Sequence, residues 1–193
     1  MHDSTNLLSR HGDGRPRIMG VINCTPDSFY ERSRSEQLEH SLEIVKKMIS
    51  EGADWIDIGG ESTRPGATEV SIDEEKRRTV PLILEIRKRF PNQAISIDTR
   101  RHQVAKEAII AGANMINDVS GLRDPEMCEL VLSTQAHVCI MHMQGDPTNM
   151  QNSPQYTDVV QEVSSNLLMK ARRLVEQGLP VNRICLDPGI GFG

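Results

Sequence analysis

Residues 95–118, ISIDTRRHQVAKEAIIAGANMIND, contain one full turn of the fold's grammar. A short apolar run ends on Asp98, a helix is expected from about Arg101 to Ala111 with Gly112 closing it, and Met115-Ile116 begins a second run that ends on Asn117-Asp118. Strand, helix and strand in that order predict two parallel strands joined by a right-handed crossover. The same grammar extends in both directions.

Upstream, Ile18 to Asn23 reads as a strand, followed by a helix with Leu38, Leu42, Val45 and Ile49 in phase and Gly52 at its end. Trp55-Ile56-Asp57-Ile58 is the next strand, and Asp73, Val80, Ile83, Leu84 and Ile86 mark its helix. Between them lies a long polar loop, GESTRPGATEVS. Downstream come a short helix from Pro125 to Leu132, a strand over Val138–Met141 and a second long loop, QGDPTNMQNSPQY. A long helix from Val159 to Gly178 and a strand at Ile184-Cys185-Leu186 complete the pattern. Loops of this length exceed the usual βα connection and carry function more often than short ones do.

Strict alternation implies an α/β fold with a parallel sheet. An open doubly wound sheet and a closed TIM (β/α)8 barrel both satisfy it. Polar residues close nearly every strand: Asn23, Gly59-Gly60-Glu61, Asp98, Asn117-Asp118, His142 and Asp187. A barrel gathers all strand carboxyl ends on one face, whereas an open sheet concentrates its site at one switch point. The barrel is therefore expected. It needs eight units and about 250 residues, and about six βα units are visible. The 193-residue chain is accordingly expected to be part of a longer enzyme, with little activity by itself.

Composition narrows the class. Aromatic residues make up 3% of the chain, so small aliphatic side chains must fill the core, as suits a parallel sheet covered by helices. A net charge of -5 argues against general attraction to nucleic acid or anionic membrane. Residues 1–16 form a polar leader with no apolar run of signal-peptide length, and residues 17–193 read as one barrel domain. No segment approaches a membrane span. Cys24, Cys128, Cys139 and Cys185 show no disulfide or zinc spacing, and a reducing cytoplasm is the expected setting. Cys128, Cys139 and Cys185 read as small core residues.

Three groups of residues point to chemistry. The loop Asn23-Cys24-Thr25-Pro26-Asp27-Ser28-Phe29 offers oxygen donors suited to Mg²⁺ and phosphate together, or else forms an Asx turn. The glycine-flanked Glu61-Ser62-Thr63-Arg64-Pro65 segment presents a guanidinium that could grip a diphosphate, or else pair with Glu61. Asp98, Asn117 and Asp187 end apolar strands where a carboxylate or amide requires a partner; a pterin, with adjacent N–H and NH₂ donors, would supply one. Helix capping by Asp98 and turn formation by Asp187 are the structural alternatives.

With GVINCTPDSF, GGESTRPG, ISIDT, MINDVSG, CIMHMQGDPTNMQ and LDPGIGFG in order, residues 17–193 resemble the dihydropteroate synthase family. The resemblance implies a (β/α)8 transferase of folate biosynthesis. Such an enzyme joins 6-hydroxymethyl-7,8-dihydropterin diphosphate to 4-aminobenzoate and releases diphosphate. It implies that Asp98, Asn117, Met141 and Asp187 hold the pterin, with Asp98 and Arg64 catalytic. It implies Mg²⁺ at Asn23, diphosphate and aminobenzoate contacts from Asn23, Thr25, Thr63 and Arg64, and an aminobenzoate wall of Phe29 and Pro65 where sulfonamides compete. A homodimer of the full-length protein also follows from it. The chain departs from the family's pattern at Tyr30-Glu31-Arg32-Ser33, where paired glycines are usual. A pterin-binding methyltransferase using methyltetrahydrofolate and a noncatalytic pterin-binding module are the rival readings.

Overall fold

Six parallel strands run β1 (Met19–Asn23), β2 (Trp55–Gly59), β3 (Ala94–Asp98), β4 (Met115–Asp118), β5 (His137–Met141) and β6 (Ile184–Asp187). Helices α1 (Arg34–Ser50), α2 (Ile72–Arg89), α3 (His102–Ala111), α4 (Pro125–Thr134) and α5 (Val159–Glu176) connect them, with one 3-10 turn at Val181–Arg183. The computed structural model describes residues 7–24, 33–62, 69–145 and 154–192. Spatial order equals chain order, β1 through β6, and every pairing is parallel. A doubly wound sheet would reverse direction at a switch point. Serial order with right-handed crossovers puts all helices on one side, leaving the other as the inside of a barrel. Among the described residues, β1 and β6 each pair on one side only.

Alternation along the strands separates two environments. Ile56, Ile58, Ile95, Ile97, Ile116, Val138 and Ile140 join the helices in the main core, all fully buried. Each such side chain contributes about 1.5–3 kcal/mol by leaving water. The opposite face carries Asp57, Ser96, Asp98, Asn117, Cys139 and Cys185. Leu84 reads as part of the α2 core stripe but is 52% exposed, one position off the buried Leu82-Ile83-Ile86 face.

Helix ends follow local chemistry. Ser33 caps α1 in a reciprocal capping box with Glu36, while Ser71, Asp124 and Asp158 cap α2, α4 and α5. Gly112 ends α3 at φ 111, a conformation that costs a residue with Cβ dearly.

The leader has a structural place that its polarity conceals. Leu7 and Leu8 pack against Trp55, Ala94, Met115 and Cys139 at the strand amino ends, and the Leu7 carbonyl accepts from Trp55 Nε1 at 3.2 Å. Asp54 holds the segment's far end, accepting from the Ile18 N–H at 2.8 Å and pairing with His11 and Arg17. Residues 7–17 thus line the bottom of the sheet, opposite the polar rim.

Candidate active site

Asn23, Gly59, Asp98 and Asn117 form one continuous register row across β1 to β4. The row continues through Cys139 and Cys185, while Met141 pairs with Asp187 two residues further along β5 and β6. Stagger of this kind is what tilted barrel strands require. Strand spacing of about 4.8 Å makes Asp98 and Asn117 immediate neighbours. Gly59 opens the row: a Cβ there would stand 3.2 Å from Asn23 Oδ1 and 3.4 Å from Asp98 Oδ2, so those oxygens converge over a residue without a side chain.

Below them lies a buried polar floor. Asn117 Nδ2 donates to Asp57 Oδ2 at 3.0 Å, which fixes the amide and leaves its carbonyl end for another partner. Asp57 Oδ1 and Ser96 Oγ have no hydrogen-bond partner among the described residues. Ser96 is still near enough to draw the Asp57 pKa down, although burial outweighs it and the net shift is upward. Orphaned buried oxygens suit a ligand rich in N–H donors.

Asp98 has the strongest electrostatic signature. Burial first, then the carboxylates of Asp57, Glu75, Asp118 and Glu61, all push its pKa well above the ordinary carboxylate range. Part of the residue remains in contact with solvent. Helix capping does not explain it, because Arg101 is the α3 N-cap residue and makes no side-chain cap bond. Asp118 lies on the core side of β4, where it accepts from Ser120 N, Ser120 Oγ and Leu122 N, and burial raises its pKa too.

Asp187 accepts from the Gly189 N–H at 2.8 Å, so the turn alternative is realised and at the same time orients the carboxylate. Gly189 (φ 66) could not be replaced: a Cβ would lie 1.9 Å from the His142 carbonyl oxygen. His142 donates its backbone N–H to the Asp187 carbonyl and its Nε2 pairs with Tyr156 Oη at 2.9 Å. Met141 is buried on the same inner face. Gln144 joins Gln155 through two hydrogen bonds, its Nε2 donating to the Gln155 carbonyl and its Oε1 accepting from the Gln155 N–H.

An ion network adjoins the rim. Arg101 reaches Glu75 at 2.6 Å, Glu61 at 3.0 Å and Glu69 at 2.9 Å, while Arg100 pairs with Glu61 and Glu69. Thr99 Oγ1 donates to Glu75 Oε1 at 2.6 Å. Glu61 is therefore held by Arg100 and Arg101, which bracket both ends of the 61–69 loop. Asp57, Glu75 and this arginine pair are site-forming residues that the local patterns do not single out. Thr25, Phe29, Thr63, Arg64 and Pro65 lie outside the described residues. An apolar groove of about 640 Å³ between α5 and β6, lined by Val160, Leu167, Leu186 and Ile190 among others, lies apart from the convergent carboxylates.

Among the described residues of the register row, Asn23 is the one whose chemistry fits Mg²⁺. Asn23 Oδ1 stands over the side-chain-free Gly59, 3.2 Å from where a Cβ of that residue would lie, a hard oxygen of the kind that a magnesium ion with mostly water and phosphate ligands would use.

Serial parallel strands with convergent acid and amide groups at their carboxyl ends define an α/β-barrel protein with a candidate site at the strand ends. The chain belongs to the pterin-binding enzyme family, whose model matches residues 19–193. It is 42% identical over 178 residues to the dihydropteroate synthase of Escherichia coli K12, which covers 92% of this chain and 63% of that protein. The Yersinia pestis dihydropteroate synthase in complex with a sulfonamide drug superimposes with a TM-score of 0.85 at 42% identity, covering 96% of this chain and 68% of that one. The Burkholderia cenocepacia enzyme complexed with 7,8-dihydropteroate gives 0.80 at 43% identity, covering 93% and 60%. The chain thus spans less than two thirds of the E. coli relative's length. No helix among the described residues is long and apolar enough to cross a membrane.

Proposed function

We propose that the whole protein is a dihydropteroate synthase, joining 6-hydroxymethyl-7,8-dihydropterin diphosphate to 4-aminobenzoate with release of diphosphate. The observation that carries this reading is the row Asn23–Gly59–Asp98–Asn117, which sets the oxygens of Asn23, Asp98 and Asn117 side by side across a residue without a side chain, as acceptors for a flat N–H-rich ring. The Burkholderia relative complexed with 7,8-dihydropteroate supports it. Sulfonamide binding is proposed on the Yersinia complex.

Asp98, Asn117 and Asp187 accept from the pterin's ring and amino N–H groups, with Met141 packing alongside. Burial and four neighbouring carboxylates oppose the charge on Asp98 and favour its protonated form. A pterin donating to it favours ionisation. As the bond to diphosphate lengthens ahead of attack by the aryl amine, positive charge spreads over the pterin methylene, and the ionised Asp98 stabilises it. The amine is neutral near pH 7 and needs no general base. Asn23 would hold Mg²⁺, which when bound neutralises charge on the leaving diphosphate. Thr25, Thr63 and Arg64 complete the diphosphate contacts, with Arg64 catalytic, and Phe29 and Pro65 wall the aminobenzoate, on the strength of the motif match. A reducing cytoplasm and a homodimer of the whole protein belong to the same proposal, the former in keeping with four free cysteines.

Incubation of the whole protein with the pterin diphosphate and labelled 4-aminobenzoate tests the reading. Labelled dihydropteroate and stoichiometric diphosphate are expected. Methyl transfer from methyltetrahydrofolate without diphosphate release would replace it with the methyltransferase reading.

A further inference from the structure

Cys139 and Cys185 face each other across β5 and β6 as direct register partners on the inner face. Adjacent strands stand about 4.7–4.9 Å apart, within the 4.4–6.8 Å range of Cα separations that disulfides use. Inward curvature of a barrel sheet brings inner side chains closer still. The two thiols are close enough for each to shift the other's ionisation, and both pack with Trp55, Ala94 and Met115. Cys139 pairs on its other side with Asn117, and Cys185 precedes Asp187 by two residues. The pair therefore forms part of the floor beneath the proposed pterin groups.

Their mutual influence gives the two sulfurs unequal roles. The Cys139 thiol brings Cys185 down to about 7, and Cys185, with burial, drives Cys139 far upward. Near neutral pH, Cys185 thus supplies thiolate while Cys139 keeps its proton. Cys24 is unlike them, pushed up to about 12 by burial, and burial also raises Cys128. Cys185 is half-buried, which admits a small neutral oxidant more readily than a bulky peptide disulfide.

We propose that Cys139 and Cys185 are a peroxide-oxidisable dithiol that closes to a cross-strand disulfide and thereby weakens pterin binding above it. Cys185 thiolate attacks one oxygen of hydrogen peroxide, the O–O bond breaks, hydroxide leaves and Cys185 becomes a sulfenic acid. The Cys139 sulfur then attacks the Cys185 sulfur, the S–O bond breaks, and the Cys139 proton leaves with hydroxide as water. Two thiols and one peroxide give one disulfide and two waters. A dithiol reductant reverses the change.

The dithiol chemistry stands apart from the functional reading; its effect on ligand rests on that reading. The whole protein is treated with a small excess of hydrogen peroxide, and intact mass, peptide mapping and pterin-diphosphate affinity are measured before and after. A loss of two mass units, a Cys139–Cys185 cross-linked peptide and an affinity at least tenfold weaker, restored by dithiothreitol, are expected. Cys139→Ser should leave a dimedone-reactive sulfenic acid on Cys185, and Cys185→Ser should abolish it, with melting temperatures checking that both fold. Oxygen addition without the loss of two mass units, or a disulfide mapped to other cysteines, overturns the dithiol. The mapped disulfide with unchanged affinity overturns its coupling to ligand. No pterin binding by the reduced whole protein removes the functional reading and the coupling, but not the dithiol.

Discussion

Replacing Asp98 with Asn should stabilise the chain at neutral pH, although it removes a residue proposed to be essential. Asp98 shares its surroundings with Asp57, Glu75, Asp118 and Glu61, and burial and all four acids raise its pKa. The sign follows from linkage: the native carboxyl binds its proton more tightly than the unfolded one, so stability falls as pH rises above the unfolded value of 3.8 toward the raised native pKa. Within that window the loss runs at up to about 1.4 kcal/mol per pH unit and then levels off. Asn keeps the shape and does not titrate. Its advantage should be small at pH 4 and grow toward neutrality to about 1–3 kcal/mol, the usual cost of a poorly compensated buried polar group. For a chain of this size, about 2–4 °C accompanies each kcal/mol. Melting curves of both proteins at half-unit steps from pH 4 to 8 would show the widening gap. A variant that is less stable throughout, or a gap that does not change with pH, would refute the electrostatic reasoning.

Other outcomes follow from the same contacts. Arg101→Met strands the 1%-exposed Glu75 without its cation and should cost about 3–5 kcal/mol in urea unfolding; pairing it with Glu75→Leu should recover part of that loss, and no recovery would deny that the two act as a pair. Gly59→Ala should keep the melting temperature within about 2 °C while its methyl, 3.2 Å from Asn23 Oδ1, raises the KM for the pterin diphosphate in the whole protein. An unchanged KM would remove Gly59 from the site. Deleting residues 1–16 should expose Trp55, now hydrogen-bonded to Leu7, to acrylamide quenching and lower the melting temperature; unchanged quenching would show that the leader does not cover it.

Much of this arrangement is legible locally. The α3 unit can be read within a residue of its ends because Gly112 terminates a helical stripe that begins after a polar turn. The strand-end residues Asn23, Asp98, Asn117 and Asp187 are visible because each interrupts an apolar run. What cannot be read are pairings made across the fold. Glu75 looks like a first-turn acid serving the α2 dipole, and only Thr99 and Arg101, some 25 positions later, explain its burial. Asp57 looks like the polar half of a strand alternation; Asn117, 60 positions away, makes it part of the site. The leader's packing depends on two leucines in a polar segment, too few to create a periodic signal. Cys139 and Cys185 look like separate core residues until strand order makes them neighbours. Residues in the two long loops can be assigned from the motif match alone.

The central claim is that Asp98, Asn117 and Asp187 grip one pterin. Isothermal titration of the chain with 6-hydroxymethyl-7,8-dihydropterin diphosphate, repeated with Asn117→Ala and Asp187→Asn, addresses it most directly. The account predicts one site, and loss of a ligand hydrogen bond worth about 1.5–3 kcal/mol should weaken each variant about 10- to 150-fold with folding intact. Equal affinity for all three proteins would contradict it.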